Sequence, residues 1–306
     1  MIALGDIRTF FRGRIALNEP LGHYTSFQIG GPADYFLEPA DKDDCVAIVL
    51  YCQRQKLPYL LMGKGSNMLV SDDGVRGAVI NLEAGLHGLR CDGAYVIAEA
   101  GISIAKLVDF CIQNGFRGVE MLPGIPGTLG GAVMMNAGAY GGETADHLVE
   151  VEVLRNGVVR TIPKEEVGFS YRHSGLRDDV ILGARFRLPQ GDKAELMRQR
   201  RELLIRRNRT QPINYPNSGS MFKNPAGTHA AKLIEDAGLK GCTIGKAQIS
   251  ERHANFMINL GGAKSGDVLA LIERAQKTVF EKFDVHLELE VKLVGFEEAA
   301  VSQVWA

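Results

Sequence analysis

Glycine in this chain is gathered into loops rather than scattered, and that placement constrains the fold more than any other feature. The 36 glycines concentrate near positions 63–65, 124–142 and 261–262, and apolar runs flank each group. A flexible linker would set glycine beside serine with few apolar neighbours. These are instead shaped loops inside folded domains, where bare backbone turns sharply or comes close to another group. Two of them have the make-up of phosphate cradles: Gly63-Lys64-Gly65-Ser66-Asn67 at a strand end, and Pro123-Gly124-Ile125-Pro126-Gly127-Thr128-Leu129-Gly130-Gly131. Glycine lets main-chain N–H groups converge on an anion, while proline fixes the approach of the loop. A pair of tight turns is the plainer alternative, and for an isolated Gly-x-Gly it would win. The longer loop is followed by Asn136-Ala137-Gly138-Ala139-Tyr140-Gly141-Gly142, and that accumulation favours a ligand.

Familiar sites are missing. A dinucleotide fingerprint needs a third glycine where Met68 stands, and Leu69-Val70-Ser71 continues as a strand rather than opening a helix. The chain also lacks a Gly-x-x-x-x-Gly-Lys-Ser/Thr loop, a His-Glu-x-x-His pair and a Gly-x-Ser-x-Gly elbow.

At 306 residues the chain can bury two or three structural units. Lys plus Arg (35) balances Asp plus Glu (36), so no global field draws nucleic acid or an anionic membrane. The start, Met1 to Asp6, carries no basic patch followed by an apolar run, and no stretch reaches the ~20 apolar residues of a membrane span. Cys45, Cys52, Cys91, Cys111 and Cys242 form no Cys-x-x-Cys pair, so free thiols are expected and a metal site is not. A reducing cytoplasm fits these features.

Periodicity predicts a helix over 43–55 with Val46, Val49 and Leu50 inward, then strands at 58–62, 77–82 and 95–100. Ser103 should cap a helix running through Cys111 and closed by Asn114-Gly115. Alternation on either side of Asn156-Gly157 predicts a hairpin, and 180–188 another strand. Asp192 with Glu195 resembles a capping box for a helix to about Arg209, broken by Gln211 to Pro216, a candidate domain boundary. Helices over 229–237 and 265–283 and a final alternating strand over 285–294 complete an α+β pattern. The arginines crowded into the helix before residue 210 have a solvated face as their default. Arg206, Arg207 or Arg209 meeting a diphosphate is the minority reading.

Six blocks, in order, resemble the UDP-N-acetylenolpyruvoylglucosamine reductase family. They are Thr25 to Ala33, Gly63 to Val70, Gly124 through Gly141, Tyr171-Arg172-His173-Ser174, Gly219-Ser220-Met221-Phe222-Lys223-Asn224-Pro225, and Leu287 to Val291. The likeness runs from about Thr25 to Gly295. It implies an FAD-binding fold of the vanillyl-alcohol-oxidase (PCMH) type over 1–210, in two subdomains split near 80, and a substrate domain over 211–306. Contacts to FAD are implied at Gly63, Lys64, Gly65, Ser66, Asn67, Met68, Gly124, Ile125, Pro126, Gly127, Thr128, Gly130, Ala137 and Gly138. The short interval between Arg172 and Ser220 resembles the subgroup without a tyrosine-bearing insertion.

The resemblance further implies that NADPH supplies hydride through FAD to an enolpyruvyl ether on a UDP-sugar. Ser220 then protonates the carbon next to the reduced one, and Arg172 with Glu290 holds the charge that builds on the carboxylate. Lys223 and Asn224 are implied as substrate contacts. The residue types suit the task, because arginine is a permanent charge with a fork for a carboxylate, and a serine hydroxyl can protonate a strongly basic carbon. By themselves, Arg172 reads as a surface arginine, Glu290 as a solvated carboxylate and Ser220 as part of a turn, with Ser218 its rival as donor. Two alternatives stay open at this point: another FAD oxidoreductase of the same fold, and a nucleotide-sugar-binding regulator without chemistry.

Overall fold

The computed structural model describes residues 4–302 and 304. Met1 to Ala3, at the start of the segment expected to carry no secretory signal, lie outside the described residues. Among the described residues no helix is long and apolar enough to cross a membrane.

The chain divides into two compact units. The first unit holds Met1–Ala16, Tyr35–Lys64 and Gly77–Arg207; the second holds Leu17–Asp34, Gly65–Arg76 and Asn208–Ala306.

The first unit is built on a five-stranded antiparallel sheet. Its order is Val158–Pro163, Leu148–Arg155, Val180–Arg187, Tyr95–Glu99, Leu89–Asp92. The predicted hairpin is present: Arg155 faces Val158, and Asn156 and Gly157 both take positive φ (50° and 78°), matching the strand twist. Alternation along each strand puts Val96, Ala98, Leu182, Ala184, Phe186, Val151 and Val153 into one core with Leu129 and Val133 of the helix Leu129–Met134. The helix Ile104–Gln113 starts where expected, with Ser103 Oγ accepting from Lys106 N at 3.3 Å.

One face was misjudged. In the helix Lys42–Arg54 the core residues are Cys45, Ile48, Val49, Tyr51 and Cys52, while Val46 and Leu50 are half-buried at its edge. Positions 45, 48, 49 and 52 stack on one side of an α-helix, and 46 and 50 lie one residue further round.

The second unit carries a four-stranded antiparallel sheet, ordered Asn217–Ser220, Phe256–Asn259, Ala247–Ile249, Thr243–Ile244, with the helices Ala230–Asp236 and Ser265–Phe283. Its two early segments are held by specific bonds. Asn259 Nδ2 donates to Phe27 O at 3.1 Å, and Asn217 N donates to Ser26 O at 3.1 Å. Ser265 N and Oγ both donate to Asp72 Oδ2, at 2.8 and 3.0 Å. Phe27, Ile29 and Leu69 are buried in the core formed by Met221, Phe222, Leu271 and Ile272. The predicted final strand is mostly not a strand. Only Lys292–Val294 pairs, in parallel with Met68–Val70. Its alternation is real, since Leu287 and Val291 are buried and His286 and Glu288 exposed. The preceding stretch, however, meets Met221 to Lys223 through single bonds rather than a ladder.

Candidate active site

In the first unit the two glycine cradles meet. A Cβ built on Gly63 would lie 2.2 Å from Thr128 Oγ1 and 2.7 Å from its Cγ2, so the approach exists only because residue 63 has no side chain. Main-chain bonds hold the longer loop in place: Ile104 N to Gly127 O (3.1 Å), Leu129 N to Ile102 O (2.9 Å) and Gly130 N to Ala100 O (2.8 Å). Arg207 lies over this loop, its Cδ 2.7 Å from the position a Cβ on Gly124 would take. Burial pulls its guanidinium below the ordinary value, with Tyr140 opposing. Arg206 sits over the Tyr140 ring at 5.5 Å, and Tyr140 Oη donates to Leu203 O at 3.3 Å. This arginine-rich stretch is therefore not a purely solvated face. Lys64 pairs with Glu83 at 3.5 Å, both half-exposed, a surface arrangement of small energetic worth.

Arg172 occupies a tight turn. Ser170 and His173 exchange main-chain hydrogen bonds of 3.1 Å, and Arg172 between them takes φ 54°, the left-handed region. Its Nη2 donates to Gly138 O at 3.2 Å, and its guanidinium lies 5.0 Å from the Tyr171 ring centre. The turn is tied to the end of the glycine-rich stretch, where Asn136 Nδ2 donates to Ser170 O at 3.2 Å and Ser174 Oγ to Met134 O at 2.9 Å. Arg172 thus stands against Gly138, a neighbourhood its sequence context does not announce.

The second unit holds Gly65, Ser66, Asn67, Met68, Ser220, Lys223, Asn224 and Glu290. Gly65 has φ 54°, and a Cβ there would come within 2.6 Å of Tyr24 O. Ser220 ends a strand carrying a bulge: Asn217 pairs with Ile258 and Ser220 with Phe256, leaving one residue extra between them. Gly219 takes φ 81° and donates to Asn217 Oδ1 at 2.9 Å. The bulge separates the two candidate serines. Ser218 is 2 % exposed, with its Oγ enclosed and making no hydrogen bond, whereas Ser220 is half-buried.

Beyond Ser220 the backbone is locked. Met221 N donates to Asn255 O at 2.8 Å, and the Asn255 amide both accepts from Phe222 N (2.9 Å) and donates to Phe222 O (2.8 Å). Glu290 N donates to Met221 O at 2.9 Å, so Ser220 and Glu290 lie on two segments joined next to the serine. Glu290 O accepts from Asn67 Nδ2 at 3.0 Å.

The two implied substrate contacts are already engaged. Lys223 forms an ion pair with Glu288, and Asn224 Oδ1 accepts from Ala230 N at 3.1 Å, serving the start of a helix expected to begin at His229. Sequence reasoning placed Asn67 only beside the cofactor. Its bond to a residue 223 positions away leaves no local signal. Among the described residues no group of three or more His, Cys, Asp or Glu could hold a metal ion.

A family model described as FAD binding domain matches residues 33–162, and one described as UDP-N-acetylenolpyruvoylglucosamine reductase, C-terminal domain, matches 211–294. The UDP-N-acetylenolpyruvoylglucosamine reductase of Caldanaerobacter subterraneus subsp. tengcongensis is 45 % identical over 286 residues, covering 92 % of this chain and 94 % of that one. The protein of the same name from Alkalilimnicola ehrlichii is 47 % identical over 279 residues, covering 90 % and 93 %. The crystal structure of the UDP-N-acetylenolpyruvylglucosamine reductase from Thermus caldophilus matches with a TM-score of 0.80 at 37 % identity, over 93 % of this chain and all of that one.

Proposed function

Since the chain belongs to the UDP-N-acetylenolpyruvoylglucosamine reductase family, we propose that Ser220, Arg172 and Glu290 carry its chemistry and that its glycine loops hold FAD. The protein is an FAD-containing oxidoreductase with the vanillyl-alcohol-oxidase type of flavin fold and a C-terminal α+β domain. It reduces the enolpyruvyl group of a UDP-N-acetylglucosamine ether in peptidoglycan synthesis. The observation that carries this function is the near-complete coverage by relatives of that one name.

The loops fit a flavin dinucleotide. A diphosphate needs main-chain N–H groups unobstructed by side chains; Gly63, Gly65 and Gly124 keep the chain bare where it runs close to other atoms, and Gly127 takes a φ of 135°. Bound FAD would supply hydride transfer from NADPH to the vinyl carbon of the substrate. The rest falls to side chains. As hydride reaches the terminal carbon, negative charge develops on the adjacent carbon and spreads into the carboxylate. Arg172 offers a fixed fork to that carboxylate. Its backbone is held out of the commonest region, and its guanidinium is oriented by Gly138 O. Glu290, as the acid, shares the developing charge. Ser220 delivers its hydroxyl proton to the adjacent carbon, and its alkoxide is reprotonated by water or a neighbouring acid to complete the turnover. Its exposure relative to the enclosed Ser218 supports it as the donor. The setting of this reaction is the cytoplasm, where the thiols stay reduced.

The test is stopped-flow spectroscopy on the purified yellow enzyme. Ser220→Ala should be reduced by NADPH at the normal rate and reoxidised by the enolpyruvyl substrate roughly 10²–10⁴-fold more slowly. Reoxidation at the normal rate would remove Ser220 from the donor role, and a colourless protein unable to take up FAD would remove the flavin reading.

A further inference from the structure

We propose that Asn67 is a positioning residue for Glu290, so that the loop at Gly65–Asn67 sets the acid of the reaction as well as meeting the cofactor. The proposal rests on the catalytic reading of Glu290 given above. Asn67 immediately precedes the strand Met68–Val70, which pairs in parallel with Lys292–Val294. Its own carbonyl accepts from Lys292 N at 3.0 Å, and its Nδ2 donates to Glu290 O at 3.0 Å. A main-chain carbonyl can only accept, so the amide must turn its NH₂ toward Glu290 whichever way the side chain is drawn. These two bonds straddle Val291, which is 4 % exposed, so residues 290–292 are held at both ends and by a buried middle.

The other main-chain group of Glu290 is used as well. Its N–H donates to Met221 O at 2.9 Å, one residue beyond Ser220. Glu290 is therefore suspended between the segment carrying the proton donor and the loop carrying Asn67. A proton donor and a charge-bearing acid must keep their spacing to within a fraction of an ångström to work together, and a shift of about 1 Å can cost roughly 10²-fold in rate. Removing the Asn67 amide takes away the bond at the Glu290 end. The ladder from Lys292 onward is a main-chain pairing and stays, so the loss is local rather than a loss of fold.

The experiment compares wild type, Asn67→Ala, the isosteric Asn67→Asp, Glu290→Gln and the Asn67→Ala/Glu290→Gln pair. FAD affinity and the two half-reactions are measured separately at saturating FAD. At saturating FAD, Asn67→Ala should slow reoxidation by substrate roughly 10²-fold, far beyond any change it makes in reduction by NADPH. Asn67→Asp, which fills the same space without the donor, should do no better. In the Glu290→Gln background, Asn67→Ala should add no more than a few-fold, because both changes remove one acting unit. Fully multiplicative losses, or weakened FAD binding with normal reoxidation at saturation, would overturn the proposal alone. Normal reoxidation in Glu290→Gln by itself would overturn the reading of Glu290 and this proposal with it.

Discussion

Arg172 holds a backbone conformation, φ 54°, that costs an L-residue about 1–2 kcal/mol. The reciprocal bonds between Ser170 and His173 impose it, and the guanidinium is thereby delivered to Gly138 O. Glycine adopts this region freely, so Arg172→Gly should be more stable than Arg172→Ala by about 1 kcal/mol. Both should slow reoxidation by substrate by roughly 10²–10³-fold, since neither retains the charge. Denaturant unfolding paired with stopped-flow kinetics separates the two effects, and equal stabilities would mean that the turn stores no strain. At this scale the sequence marks the residue only through its motif. An arginine after an exposed tyrosine carries no sign that its φ is positive or that its partner lies 34 residues back.

The helices and the hairpin were legible because their signals are local. Ser103 caps its helix at 3.3 Å, Asp192 Oδ1 accepts from Glu195 N at 2.8 Å, and Asn156-Gly157 turns the hairpin. The final strand misled because alternation reports burial, and a stretch can alternate while meeting its neighbour through single bonds. The cradles lie between these cases. Their glycines were visible, but one reason for them was not: Gly63 is small because Thr128 fills the space, whatever the cofactor requires of the loop. Gly63→Ala should therefore destabilise the protein by about 1–3 kcal/mol through overpacking. The companion change Thr128→Ala, which removes Oγ1 and Cγ2, should recover part of that loss. Urea midpoints of the single and double variants check it, and an unchanged midpoint in Gly63→Ala would show that the two loops are not in contact.

At the scale of the whole molecule, the five cysteines report on the cores. Cys45, Cys52 and Cys111 are fully buried, and burial pushes their thiols up to about 12, about 11 and about 12. Cys91 is exposed, and Cys242 is half-buried with Arg274 Nη1 at 3.2 Å from its sulfur. A thiol-reactive chromogen should find one fast site, one slower site and three more only after unfolding, because the thiolate is the reactive form and the buried thiols stay protonated. Five rapid equivalents in the native protein would mean that the core around the helix Lys42–Arg54 is open. The sequence by itself determined the class, the longer helices, the hairpin and two glycine loops, since periodicity, caps and turn residues act over a few neighbours. The short helix Leu129–Met134, read as the end of a loop, it did not show. Tertiary structure alone decided that Leu17–Asp34 and Gly65–Arg76 join the later unit, that the loops meet at Gly63 and Thr128, and that Asn67 reaches Glu290. Those outcomes depend on where Phe27, Ile29 and Leu69 are buried and on which carbonyl is left to accept a bond. All are set by the packing of segments far apart in the chain, 65 residues for Gly63 and Thr128 and 223 for Asn67 and Glu290.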